Sequence, residues 1–189
     1  MNHTYNAYWK KRIADTFGCA LKAHTRVLAL RVDLRLPDCP AATDAAVISR
    51  FTASLKARIE ALQLRKQREG KRIWPTTLHY AWAREFGELN GKKHYHLVLL
   101  LNRDSWCNPG DYNSPDSLAG MIKQAWCSAL QVDGQKFATL AHFPVSPSSW
   151  LESGNETQLK QALERASYLA KDHTKVTDDG ERNFGCSRG

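Results

Sequence analysis

The sequence predicts an α+β fold of the ferredoxin-like, RRM-like kind: a βαββαβ antiparallel sheet with helices on one face and a further C-terminal helix carrying a tyrosine. Three observations carry this. Residues 27–36 alternate between two sets of side chains, the period of a strand. Residues 77–87 and 93–102 read as two strands flanking Asn90-Gly91, the strongest short hairpin signal. Helical periodicity fills the intervals after the first strand and after the hairpin.

Taken in order, residues 5–23 read as a weakly patterned helix. In the first strand Leu28, Leu30, Val32, Leu34 and Leu36 alternate with Val27, Ala29, Arg31, Asp33 and Arg35, and Pro37 and Pro40 end it. Residues 44–68 form a helix with Thr43 as its cap and Val47, Phe51, Leu55, Ile59 and Leu62 on one side. Ser114-Pro115 opens the next helix, which runs to about Leu130. Residues 137–145 make a fourth strand and 156–174 a final helix, and Gly180–Gly189 reads as irregular. Both crossover helices then cover one sheet face and leave the other open. The organisation is one domain over 1–189, with 1–24 a helical extension, 25–175 the core and 176–189 a tail.

Composition sets the function classes. The chain has 189 residues, of which 42% are hydrophobic and 24% charged, an ordinary globular balance. The net charge of +8 is uneven: residues 1–72 hold 15 basic and 6 acidic side chains. That excess points to a polyanion, most simply nucleic acid. The longest strongly apolar run, Leu97 to Leu101, is far too short to span a bilayer, so no membrane partner is expected. No apolar stretch follows Lys10, Lys11 and Arg12, so no secretory signal is expected either. Five widely spaced cysteines without a CxxC pair fit a reduced, cytoplasmic setting.

The hairpin carries the candidate chemistry. With Asn90-Gly91 as the turn, Glu85 pairs with His96, Gly87 with His94 and Phe86 with Tyr95. Tyr80, Trp82, Phe86, Tyr95, Leu97, Leu99 and Leu101 then share an apolar face. Glu85, His94 and His96 share the other, among the small Ala81, Ala83 and Gly87. Two imidazoles two residues apart and a carboxylate across the ladder converge on one cation, with Mg or Mn the expected ion. His79 lies on the same face, away from the turn, with no assigned role.

In residues 156–172 the apolar stripe is Leu159, Ala162, Leu163, Ala166 and Ala170. Tyr168 lies about half a turn from it, and Lys171 shares its side. A phenol beside an ammonium and a divalent cation suits phosphodiester transesterification through a phosphotyrosyl link.

Glu85, then His94-Tyr95-His96 running into Leu97-Val98-Leu99-Leu100-Leu101, then Tyr168-Leu169-Ala170-Lys171 resembles the HUH (His-hydrophobic-His) single-strand endonucleases. The closer likeness is to inovirus and prophage rolling-circle replication initiators, and the Arg31-Val32-Asp33 strand and the Arg182–Arg188 segment share it. The resemblance implies a metal-dependent nickase acting at a replication origin. Tyr168 would attack and retain the 5′ phosphate, leaving a free 3′ hydroxyl. His94, His96 and Glu85 would hold the metal, and Lys171 would assist. Its partners would be single-stranded DNA or an origin hairpin, with a host helicase and polymerase, since no helicase segment follows. The central Tyr95 departs from the aliphatic residue usual in the motif. A single tyrosine in the last helix argues against a two-tyrosine alternation.

Arg31 and Arg35 are expected as strand-borne phosphate contacts, and Asp33 as a metal or orienting group. Arg65, Lys66, Arg68, Lys71 and Arg72 are expected to track the DNA backbone. Two rival readings are an RRM-like module that binds single strands without cutting, and an HUH transposase or relaxase.

Overall fold

The structure, a computed structural model, describes residues 4–87, 91–172 and 175–188. Helix α1 (Ala7–Ala23) starts where Asn6 accepts a hydrogen bond from the Trp9 amide, and it buries Ile13, Phe17 and Ala20 at helical spacing. Strand β1 (Arg26–Arg35) is followed by α2 (Val47–Arg68), the hairpin strands β2 (His79–Phe86) and β3 (Lys93–Asn102), and α3 (Leu118–Leu130). Then come β4 (Ala141–His142), β5 (Ser148–Glu152), α4 (Glu156–Ala166) and β6 (Phe184–Cys186). The six strands form one antiparallel sheet in the order β4-β1-β3-β2-β6, with β5 also on β1. The fold is thus α+β, and β4-β1-β3-β2 with α2 and α3 follows the ferredoxin-like plan.

Several boundaries move, each for a local reason. Thr43 does not cap α2; the Asp44 carboxylate takes the Ala46 amide in a turn, and the helix begins at Val47. Ser114-Pro115 precedes α3 rather than opening it, because Ser117 is the cap, accepting from the Gly120 amide. The fourth strand is not continuous over 137–145. A 3₁₀ turn occupies Ala138–Leu140, and β4 and β5 lie along β1 on either side of the segment 143–147, where Pro144 and Pro147 interrupt pairing. The last helix stops at Ala166 and tightens into a 3₁₀ turn, Ser167–Ala170. The tail is not wholly irregular, since β6 adds an edge strand to β2.

The even-numbered side chains of β1 meet α2 and α3 in the main core, around Phe51, Trp126, Tyr95 and Leu97. The opposite face is not open, and this corrects the expectation. Its residues divide along the strands: Val27 and Ala29, Val98 and Leu100, and Ala81 and Ala83 are apolar and mostly small, and α1 and α4 pack over them. Beyond them Arg31, Asp33, Glu85, His94 and His96 are polar and only partly covered. One face thus holds a helix-covered half and a half that forms the site.

Candidate metal centre

Three strands build the polar half. Asp33 of β1 lies opposite His96 of β3, and Glu85 of β2 lies opposite His94. The hairpin register therefore differs by two residues from the sequence expectation, which paired Glu85 with His96. Phe86–Lys93 is the last strand pair, and Gly87 and Lys92 share a further backbone bond. Residues 88–90, with the Asn90 half of the expected two-residue turn, lie outside the described residues. A two-residue shift preserves the side-chain faces, so the three residues meet as the alternation requires.

Donor atoms of Glu85, His94 and His96 all lie within 4.8 Å of one another. The two Nε2 atoms are 3.1 Å apart, and His96 Nε2 is 3.4 Å from the Glu85 carboxylate. The other ring nitrogens are committed: His96 Nδ1 donates to Asp33 at 2.6 Å and His94 Nδ1 to the Lys92 carbonyl at 3.2 Å. A carboxylate or carbonyl on Nδ1 fixes the tautomer and leaves Nε2 as the electron-pair donor, the arrangement metal-ligating histidines adopt. The separation of the two nitrogens suits neighbouring ligands of a six-coordinate ion, and the mixed imidazole and carboxylate set fits a divalent metal.

Electrostatics follow from burial and partners. Burial acts against the charged forms of Glu85 and Asp33, yet both carboxyls lie below the usual range. His96 and Lys175 hold Glu85 down to about 2, and His96 and Arg31 lower Asp33. Burial also opposes charge on His96, but its bonds to Asp33 and Glu85 outweigh this and raise its pKa. His94, without a carboxylate partner of that quality, is lowered by burial. Asp33 is thus an orienting contact for His96, and Oδ2 lies 3.7 Å from His142 on β4.

Tyr168, in the turn after α4, arrives beside this cluster. Its ring meets that of His96 edge-on at 5.6 Å, and its hydroxyl donates to the Leu97 carbonyl at 3.2 Å. The Arg31 guanidinium lies 4.1 Å from the ring centre. Burial raises the phenol's pKa and Arg31 works in the opposite direction. Tyr168 is partly buried rather than a surface residue, because the helix tightens there and turns the ring onto the sheet.

The expected lysine is elsewhere. The Lys171 backbone bridges to Tyr5, and among the described residues it is Lys175 that bonds Glu85, at 2.8 Å. Sequence reasoning missed Lys175 because nothing in helical spacing links it to a strand so distant along the chain. It also missed Arg84, whose buried guanidinium is held by Asp179, Glu181 and Asn183 of the C-terminal segment. The basic residues expected to contact DNA fall into two groups. Arg31 and Arg35 flank Asp33 at the cluster. Arg65, Lys66, Arg68, Lys71 and Arg72 lie at the end of α2, with Lys66 and Arg72 beside Asp104 and Ser105 past the end of β3, the end opposite His94. Arg65 there pairs with Asp116 and Lys71 with Glu69.

The described helices include none long and apolar enough to cross a membrane. No solved structure matches the chain. The uncharacterized protein YagK of Escherichia coli K12 is 41% identical over 178 residues, covering 87% of this chain and 85% of its own. The uncharacterized protein YfjJ of the same strain is 36% identical over 199 aligned positions, covering 96% and 94%. The family model described as YagK/YfjJ C-terminal domain matches residues 1–187, and the chain belongs to that family.

Proposed function

We propose that the chain is a metal-dependent single-strand DNA endonuclease of the HUH type, nicking a replication origin to start rolling-circle synthesis. One observation supports the reading above all: residues far apart in sequence, Glu85, His94/His96 and Tyr168, meet within one cluster, with the tyrosine ring 5.6 Å from the His96 ring. A chance His-x-His strand has no reason to acquire a tyrosine from the last helical turn among the described residues.

In this reading the Tyr168 oxygen attacks the scissile phosphorus. A bond forms between that oxygen and phosphorus, and the bond to the 3′ oxygen breaks. The phenol loses its proton and the 3′ oxygen gains one. Glu85, His94 and His96 would hold Mg or Mn, which would supply positive charge to neutralise that building on the phosphate. Arg31, stacked on the phenol ring, favours phenolate against the effect of burial. Asp33 keeps His96 in its ligating tautomer. Lys171, at the end of the tyrosine's turn, is the candidate to steady the leaving oxygen, and Arg35 to guide the strand. The substrate is single-stranded DNA or an origin hairpin, handed on to a host helicase and polymerase in the cytoplasm.

The test is incubation with single-stranded oligonucleotides tiled across the protein's own replicon, with Mn²⁺, read on a denaturing protein gel. A slower covalent band is expected from the wild type. It should be lost in Tyr168→Phe, in His94→Ala/His96→Ala and on chelation. Strand retention without any covalent band across complete tiling would overturn the nickase in favour of a binding module.

A further inference from the structure

Lys175 meets none of the expectations drawn from sequence, yet its side chain is among the most enclosed charges in the molecule, at 3% exposure. Its Nζ bonds Glu85 Oε1 at 2.8 Å and lies 5.9 Å from the centre of the Trp9 ring on α1. The Glu85 carboxylate is itself 13% exposed, and its second oxygen faces His96 Nε2. The same C-terminal segment grips the neighbouring residue on the other face of β2, where Asp179, Glu181 and Asn183 bond Arg84. The strand's arginine holds acids of the segment, and the segment's lysine holds the strand's acid. This clamp fixes the ammonium in place, so it is not a mobile surface charge.

The charge balance gives the arrangement a meaning. Asp33 has Arg31 at 3.4 Å and Glu85 has Lys175 at 2.8 Å, so each carboxylate already has a cation before any metal enters. A divalent ion held by Glu85, His94 and His96 would sit near a fixed ammonium in a partly desolvated site, where like charges repel more strongly than in water. We propose that Lys175 is a built-in cation that occupies half of Glu85, keeps the metal-free site assembled, and holds the affinity for divalent metal down. The inference rests on the metal-site reading above. It adds that the ion is held weakly by the protein alone and firmly only once an anionic phosphate brings the missing negative charge.

The test is calorimetric titration of the full chain with Mn²⁺ alone, so no nucleic acid or activity is needed. Lys175→Met keeps the length of the side chain and removes its charge. It should bind Mn²⁺ at least about tenfold more tightly than the wild type. Lys175→Arg should stay close to the wild type. In a Glu85→Gln background, where no carboxylate is left for the lysine to compete for, the Lys175→Met gain should shrink to the relief of charge repulsion alone. Far-UV circular dichroism and thermal melts establish that each variant is folded, and Lys175→Gln serves if the Met variant is not. Unchanged or weaker binding in folded Lys175→Met, with the wild type binding Mn²⁺, overturns the role of Lys175 and leaves the metal site standing. Binding in neither protein overturns the metal site and the inference with it. Binding in Lys175→Met alone is the strongest support for the built-in cation.

Discussion

At Arg84 a single guanidinium decides where the C-terminal segment lies. It is 1% exposed, and it bonds Asp179 at 2.7 and 2.8 Å, Glu181 at 2.8 Å and Asn183 at 2.8 and 3.0 Å. A buried charge is tolerated only when its donors are filled, and here every face of the fork has an acceptor. Arg84→Met leaves Asp179 without this cation and Glu181 with Lys93 alone, and should lower the midpoint of urea unfolding. His79 makes the opposite case. It is 6% exposed, and neither ring nitrogen has a hydrogen-bond partner among the described residues. Burial, with a smaller contribution from nearby His24, lowers its pKa below the ordinary value. The unfolded chain therefore binds a proton there that the native chain resists. The stability contribution is full above about pH 6.5 and is lost as pH falls toward the lowered native pKa. His79→Leu should flatten the fall in melting temperature between about pH 7 and pH 5. An unchanged slope would contradict the burial account.

Among the elements, the hairpin shows what a sequence can and cannot specify. The faces of β2 and β3 were legible because side chains alternate with period two and a two-residue register error leaves them in place. The exact pairing was not legible, because it depends on the connection through Gly87 and Lys92. The covered second face was hidden for another reason. Val27, Ala29, Ala81 and Ala83 look like gaps in a polar alternation, yet such small side chains are what let α1 and α4 approach the sheet. Tyr168 and the two histidines were readable from local pattern. Lys175 and Arg84 were not, since their partners lie 90 or more residues away. Helix α3 gives a sharper element-level prediction. In an ordinary helix Gly→Ala gains about 1 kcal/mol. At Gly120, however, an added Cβ would meet the Ser114 carbonyl oxygen and Pro115 backbone. Gly120→Ala should therefore destabilise the protein despite its higher helix propensity, by about 1–3 kcal/mol in chemical unfolding. A gain in stability would mean the 114–117 turn is free to retreat.

On the scale of the whole molecule, the candidate metal cluster and the basic end of α2 lie at opposite ends of the sheet. The His94/His96 cluster sits where β3 begins, and Lys66 and Arg72, at and just after the end of α2, lie past where β3 ends. A single strand that reaches both must run along the body of the protein, and its affinity must fall with salt in proportion to the phosphates neutralised. Replacing Lys66, Arg68 and Arg72 together with Gln should weaken oligonucleotide binding and reduce the salt slope. It should leave adduct formation at saturating DNA nearly unchanged. Loss of the adduct at saturation would mean that the far end acts on the chemistry itself. The central claim is narrower than either end, namely that Tyr168 forms the covalent bond to DNA. Mass spectrometry of a proteolysed wild-type adduct tests it most directly. The account predicts a 5′-phosphonucleotide mass on the peptide containing Tyr168, formed only with a divalent metal. The same mass on another peptide, or a cleaved strand bearing a free 5′ phosphate with no modified tyrosine, would contradict it.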